Sequence, residues 1–184
     1  MIIGVLMTNK EKEKLIDFKI GNPDRLIKFN ESGFDWLNDN IPKPDDQWFE
    51  DTKIEYLEKE FEKQKESKLK SLKDAFDHQK RNGKCDSSLG FIIDNRRNGL
   101  ENDISNVQSL IEVGQTTYYI DVDDNEHESI TVEQLQTMKM NMVVDGLRKY
   151  GIKKAVKDLI NSANNQSELN EININEIEWE NPVG

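Results

Sequence analysis

The densest run of hard oxygen ligands in the chain is Asp121-Val122-Asp123-Asp124-Asn125. Carboxylate and amide oxygens on alternate residues are how a calcium loop begins, so Asp121, Asp123 and Asn125 are its candidate ligands. The run departs from such a loop further on. Glu126 occupies the sixth position, where glycine makes the sharp turn, and Val132 the twelfth, with the acid Glu133 one place late. The competing reading is an acidic hairpin turn that feeds a capped helix.

Other site chemistry is sparse. A zinc site takes three or four His or Cys ligands, and the chain offers only His78, His127 and Cys85. His78 lies in a charged helical stretch and His127 in the acidic turn, so both read as solvated side chains. Cys85 precedes Asp86, Ser87 and Ser88, none of them a general base, and reads as an unreactive loop thiol. A single cysteine forms no intramolecular disulfide, which favours an intracellular or virion-interior origin over a small secreted domain. The sequence contains no glycine-rich phosphate loop, nucleophile elbow or His-Glu-x-x-His motif. Carboxylates at this density read as solvation, so the expectation is a non-enzyme with no cofactor.

The bulk charge narrows the partners. The 184 residues hold 36 acids against 25 bases, a net charge of −11, the wrong sign for a general nucleic-acid binder. The acidity has an address. Residues 121–133 carry six acids and no Lys or Arg, residues 164–184 carry five acids and no base, and the remainder is formally balanced. The longest apolar run, Ile2 to Met7 broken by Gly4, is far short of the ~20 residues of a membrane span. It also lacks the preceding basic region of a signal peptide.

Several elements must position these residues. Ile2 to Leu6 reads as a strand, and Thr8 as the cap of a helix over Lys10–Phe18. Gly21-Asn22-Pro23 is a break, and two short apolar runs either side of Asn30–Gly33 suggest a hairpin. An extended Pro-spaced linker, Ile41–Asp46, follows. Trp36 and Trp48 flank it and are expected to pack on each other or on a partner. From Asp51 to Lys80 there is no Gly or Pro. The apolar positions are Ile54, Leu57 and Phe61, then Leu69, Leu72 and Phe76: two half-seams, a stripe too thin for a helix buried in a globule. This predicts a long exposed helix that pairs with a partner helix, associates with itself, or leans on its own domain. Gly83 suits a left-handed cap at its end.

Beyond it, Ser87–Asp94 reads as an extended segment. Leu100, Ile104, Val107 and Ile111 mark an amphipathic helix ending at Gly114. Thr116–Val122 is a β-rich run with Tyr118, Ile120 and Val122 on one face, and Glu128–Ile130 a returning strand. Thr131-Val132-Glu133-Gln134 is a capping box that opens a helix to about Ser162. Its expected core set is Leu135, Met138 and Met142, continued by Leu147, Tyr150, Lys154 and Leu159-Ile160, with Gly146 and Gly151 as weak points. Ser167 is the expected cap of a last turn. The acidic C-terminal segment should dock by Ile172, Ile174, Ile177 and Trp179. The fold class expected is α+β: a long N-terminal helix, then a small helix–strand–turn–helix domain, with extended arms at both ends. The divisions fall at 1–50, 51–82, 83–163 and 164–184. The expected interaction residues are Ile54, Leu57, Phe61, Leu69, Leu72, Phe76, Trp36, Trp48 and Trp179.

From about residue 65 to 175 the order of these pieces resembles the phage and prophage family catalogued as domain of unknown function 4376. The pieces are the Lys-rich helix Lys63–Lys80, then Ser88-Leu89-Gly90-Phe91-Ile92-Ile93-Asp94, the helix Leu100–Ile111, and Tyr119-Ile120-Asp121-Val122-Asp123-Asp124-Asn125. Thr131-Val132-Glu133-Gln134-Leu135 then opens a helix with Gly146, Tyr150 and Lys153-Lys154, which runs through Val156–Ala163 and stops before Ser167-Glu168-Leu169. The Asp-Asn turn followed by Thr-x-x-x-Leu is the most specific part; residues 1–50 fall outside it. The resemblance implies a tail or tail-fibre-associated protein of a tailed phage. Such a protein would be made in the host cytoplasm and placed in the virion tail, where it docks other tail or fibre proteins in a homo-oligomeric or multi-copy assembly. It implies neither nucleic acid nor membrane as partner and brings no catalytic residues. A tail-fibre assembly chaperone that leaves before the virion is finished fits equally. A small acidic intracellular binding protein, responsive to calcium through Asp121–Asn125, is the reading from a different class.

Overall fold

A computed structural model of the chain describes residues 7–21, 26–30, 33–96 and 103–179. The expected Ile2–Leu6 strand, Asn22-Pro23 and Leu100 lie outside the described residues. The chain forms two compact units, residues 1–64 and 65–184, and its class is α+β with one very long helix.

In the first unit, α1 (Asn9–Lys19) opens on a full capping box. The Thr8 hydroxyl accepts the Glu11 amide at 3.3 Å, and Glu11 accepts the Thr8 amide at 2.7 Å. The hairpin is real: β1 (Ile27–Asn30) pairs antiparallel with β2 (Gly33–Trp36), Ile27 opposite Trp36. The long helix α2 (Asp46–Arg81) starts before Asp51 because the Asp45 carboxylate accepts the Trp48 amide at 2.7 Å and caps it. Leu15, Ile16, Leu26, Ile27 and Phe49 make the core, with Trp36, Trp48 and Tyr56 packed against it. Here α2 turns Phe49, Thr52 and Tyr56 inward, while Ile54 and Leu57 stay exposed. Lysines cover the aromatic rim: Lys12 over Phe49 at 5.0 Å, Lys14 over Tyr56 at 4.7 Å and Lys59 over Phe18 at 4.8 Å.

In the second unit two short antiparallel ribbons, β3 (Lys84–Asp86) with β4 (Ile92–Asp94) and β5 (Thr117–Ile120) with β6 (Glu126–Ile130), accompany α3 (Asp103–Val113) and α4 (Val132–Ser162). Thr131 and Gln134 form the expected capping box of α4. The core is Cys85, Ile93, Val107, Ile130, Leu135, Met138 and Met142. The C-terminal parts of α2 and α4 meet the segment that follows α4, up to Trp179. Phe76 packs edge-on to Tyr150 (6.3 Å) and against Trp179 (5.9 Å), with Lys153 over its ring. Lys65 reaches the Asn161 carbonyl at 3.3 Å, and Lys68 reaches that of Leu169 on α5 (Gln166–Glu171).

Four sequence expectations change, and a fifth gains its direction. Gly83 is not a left-handed cap; a Cβ there would come 2.6 Å from the Asn95 carbonyl oxygen, so the residue is small because β4's exit crosses it. Leu147, Tyr150 and Leu159 are not core but more than half exposed; the inward positions of α4 there are Asp145, Lys149, Ile152 and Ile160. Tyr118 and Ile120 share a face of β5 as expected, and that face is the one toward solvent, with Tyr119 inward. The cap of α5 is Asn165 rather than Ser167. Cys85 is a buried strand residue, not a loop thiol.

Candidate functional site

The turn between β5 and β6 shows what the alternating oxygens do. Asp121 is buried. Its Oδ1 accepts the amides of Asp123 and Asn125, each at 2.9 Å. Its Oδ2 accepts from His127 Nε2 at 2.8 Å and from Asn125 Nδ2 at 3.1 Å. These donors, His127 first, hold the Asp121 carboxyl far below the usual carboxylate range. Asp123 and Asp124 remain exposed. The three calcium candidates are thus in one turn, but Asp121 spends both oxygens on the turn itself and Asn125 donates to it. Among the described residues no three His, Cys, Asp or Glu side chains converge to hold a metal. His127 is not solvated: its ring stacks on Phe91 with centroids 3.8 Å apart. The arrangement is an Asx turn locked by a histidine.

The expected interaction residues separate. Trp36 donates to the Ile41 carbonyl at 2.7 Å, Trp48 packs edge-on to Phe49, and both lie on the first unit's core. Leu72 and Trp179 are buried inside the second unit, and Phe76 and Leu69 are half-buried there. Phe61 is half-buried. Ile54 and Leu57, 58% and 55% exposed, present their apolar surface outward.

Two polar groups were not foreseen. On α4, Asp145 and Lys149 are buried and 2.9 Å apart. Arg148 holds the other Asp145 oxygen at 2.5 Å, Asn95 donates to Asp145 at 2.8 Å, and Lys149 also donates to the Lys84 carbonyl at 3.2 Å. This node ties α4 to the β3–β4 ribbon. The second group is Asp94, Arg96 and Asp103. Arg96 pairs with Asp94, and its Nε lies 3.6 Å from Asp103, an ion pair too long for a hydrogen bond. Burial, then the neighbouring Asp94, pushes Asp103 up to about 6, and burial pushes Tyr119 up to about 12. The sequence signal for the node was an i,i+4 Asp–Lys pair, which a helix carries on its surface far more often than inside.

The surface feature with the most reach is the outer side of α4. Met140, Val144 and Leu147, spaced four and three apart, are 62%, 54% and 67% exposed and lie opposite the buried side of the helix. A cleft of about 400 Å³ lined by Phe76, Val143, Gly146 and Tyr150 runs along one flank of this ridge. Another of about 580 Å³, lined by Ile92, Asn141 and Arg148, runs along the other. A helix apolar on two sides expects cover on both. No family model, no curated protein and no solved structure matches the chain.

Proposed function

We propose that the chain is a docking protein of a tailed-phage tail or tail fibre, a structural component and not an enzyme, that works through protein contacts in a multi-copy assembly. The observation that carries the docking part is the pair of outward apolar rows on the two long helices, Ile54 and Leu57 on α2 and Met140, Val144 and Leu147 on α4. Exposed apolar surface at regular helical spacing is the mark of a contact face. The phage part rests on the collinear resemblance over residues 65–175. The polar groups at Asp121 and at Asp145 spend their oxygens on backbone amides and paired side chains, and so serve the fold.

Mass spectrometry of purified virions tests the reading. The chain is expected among the tail proteins, at a copy number that is a multiple of the tail symmetry. Its absence from virions, with abundance in infected cells, would overturn the structural role in favour of an assembly chaperone.

A further inference from the structure

The cleft between the last turns of α2 and the middle of α4, inside the second unit, joins a cavity to an unanswered polar atom. Its volume of about 400 Å³ lies in the range of small-molecule sites. Phe76, Val143, Leu147 and Tyr150 give it apolar walls. Asn95, only 4% exposed, lines it as well. The Asn95 amide nitrogen is committed to α4, donating to the Met142 carbonyl at 3.1 Å and to Asp145 at 2.8 Å. Flipping the amide would set its oxygen against those two acceptors, so the orientation is fixed. Asn95 Oδ1 is thereby buried with no hydrogen-bond partner. Lys149 turns its ammonium to Asp145 and to the Lys84 carbonyl and does not supply the donor. A buried acceptor without a donor is costly, and such a group in a folded chain calls for a reason.

The mouth of the cleft is basic in a chain that is acidic overall. Lys80 lines the cleft, and Lys153 lies over the Phe76 ring at 4.3 Å. Lys73 and Lys80 flank Asp77 at 3.3 and 3.7 Å. Three lysines against one aspartate leave a net charge of +2 here, in a chain of net charge −11. These features ask for a ligand in three parts. The walls take a flat apolar body, the inner oxygen takes an N–H or O–H, and the mouth takes an anion. An inorganic anion would leave the walls wet, and a plain hydrocarbon would answer neither the oxygen nor the lysines. We infer that this cleft binds a small aromatic acid bearing one hydrogen-bond donor. Its ring lies against Phe76, Val143, Leu147 and Tyr150, its donor meets Asn95 Oδ1, and its carboxylate meets Lys80 and Lys153. The inference does not rest on the docking reading, and a chain that never meets a virion would bind the same acid.

Titration calorimetry on the full chain with three matched probes tests it. Indoleacetate carries the ring, the N–H and the carboxylate. Naphthylacetate lacks the donor, and methylindole lacks the carboxylate. Indoleacetate is expected to bind with a Kd below about 1 mM. The other two should bind at least about tenfold more weakly, since each forgoes one interaction. Lys80→Glu and Tyr150→Ala change exposed side chains. Each should weaken indoleacetate by roughly five- to tenfold, with an unchanged circular dichroism spectrum. Asn95→Leu should abolish the preference for the indole over the naphthalene ring. If that variant does not fold, the comparison of probes on the wild type still decides. No binding of indoleacetate up to about 10 mM, naphthylacetate binding as tightly as indoleacetate, or binding that survives both Lys80→Glu and Tyr150→Ala would each overturn the proposal.

Discussion

Two lysine–aspartate pairs at helical i,i+4 spacing, one on each long helix, have nearly the same geometry and different meaning. On α2, Lys73 and Asp77 approach to 3.3 Å with side chains 68% and 32% exposed. On α4, Lys149 and Asp145 approach to 2.9 Å with both side chains 7% exposed. In water the first pair is worth a few tenths of a kcal/mol at most, because solvent screens it and two long side chains must be ordered. The second is committed: both charges have left water, and each depends on the other and on Asn95, Arg148 and the Lys84 carbonyl. Burial, rather than spacing or distance, decides which pair the fold needs.

The largest effect that could break this contrast is Asp145→Ala. It strands Lys149 as a buried charge and should cost about 3–5 kcal/mol, read as a lower urea midpoint. Asp77→Ala should change the unfolding free energy by less than about 0.5 kcal/mol and barely move the midpoint. Equal effects from the two variants would mean that Lys149 reaches water once its partner is gone. The Asp145→Asn, Lys149→Met double variant sharpens the point. It should recover much of the loss, because removing both charges leaves little unsatisfied.

The same helices show how far the sequence could be read. Elements that depend on local chemistry were legible: the caps at Thr8 and Thr131, the hairpin at residues 27–36, the unbroken helix without Gly or Pro. What was hidden is which side of each helix faces inward, since that is fixed by neighbours distant in sequence. The apolar stripe reads as two half-seams, Ile54, Leu57, Phe61 and Leu69, Leu72, Phe76, with nothing to say which of them faces a core. In the first unit α2 turns Phe49 and Tyr56 to the core, and in the second Leu72 and Phe76. On α4 the core-facing line passes through Asp145 and Lys149, so a reader following apolar residues slides onto Leu147 and Tyr150, which are outside. The calcium-like run at Asp121 failed for a related reason. Its spacing is also that of an Asx turn, and His127, whose role is set by the Phe91 ring beneath it, decides between them.

An apolar version of the contrast comes next in size. Leu72→Ala empties a fully buried site and should cost about 3 kcal/mol. Ile54→Ala, on the same helix but 58% exposed, should cost less than about 0.5 kcal/mol. Thermal unfolding of both variants checks this. Near-equal losses would mean that Ile54 is covered in solution, which is the outcome expected if α2 also pairs with a partner.

The smallest effect lies at a site between the two ion pairs in burial, Asp103 with Arg96, whose side chains are 16% and 39% exposed. The folded chain holds the Asp103 proton up to about pH 6, whereas an unfolded aspartate releases it near pH ~4. Between those values the folded state binds more protons than the unfolded one. Stability therefore falls as pH rises through this window and stays lower above it. Asp103→Asn removes the charge that burial disfavours. It should raise stability at pH 7 by about 1 kcal/mol, discounted because solvent screens the half-exposed Arg96, and change nothing below about pH 4. Melting temperatures of the wild type and the variant across this range decide the matter. A variant less stable at pH 7 would show that the 3.6 Å attraction to Arg96 outweighs the burial of the carboxylate. Asp103 would then belong with Asp145, a charge the fold depends on, and not with one it merely tolerates.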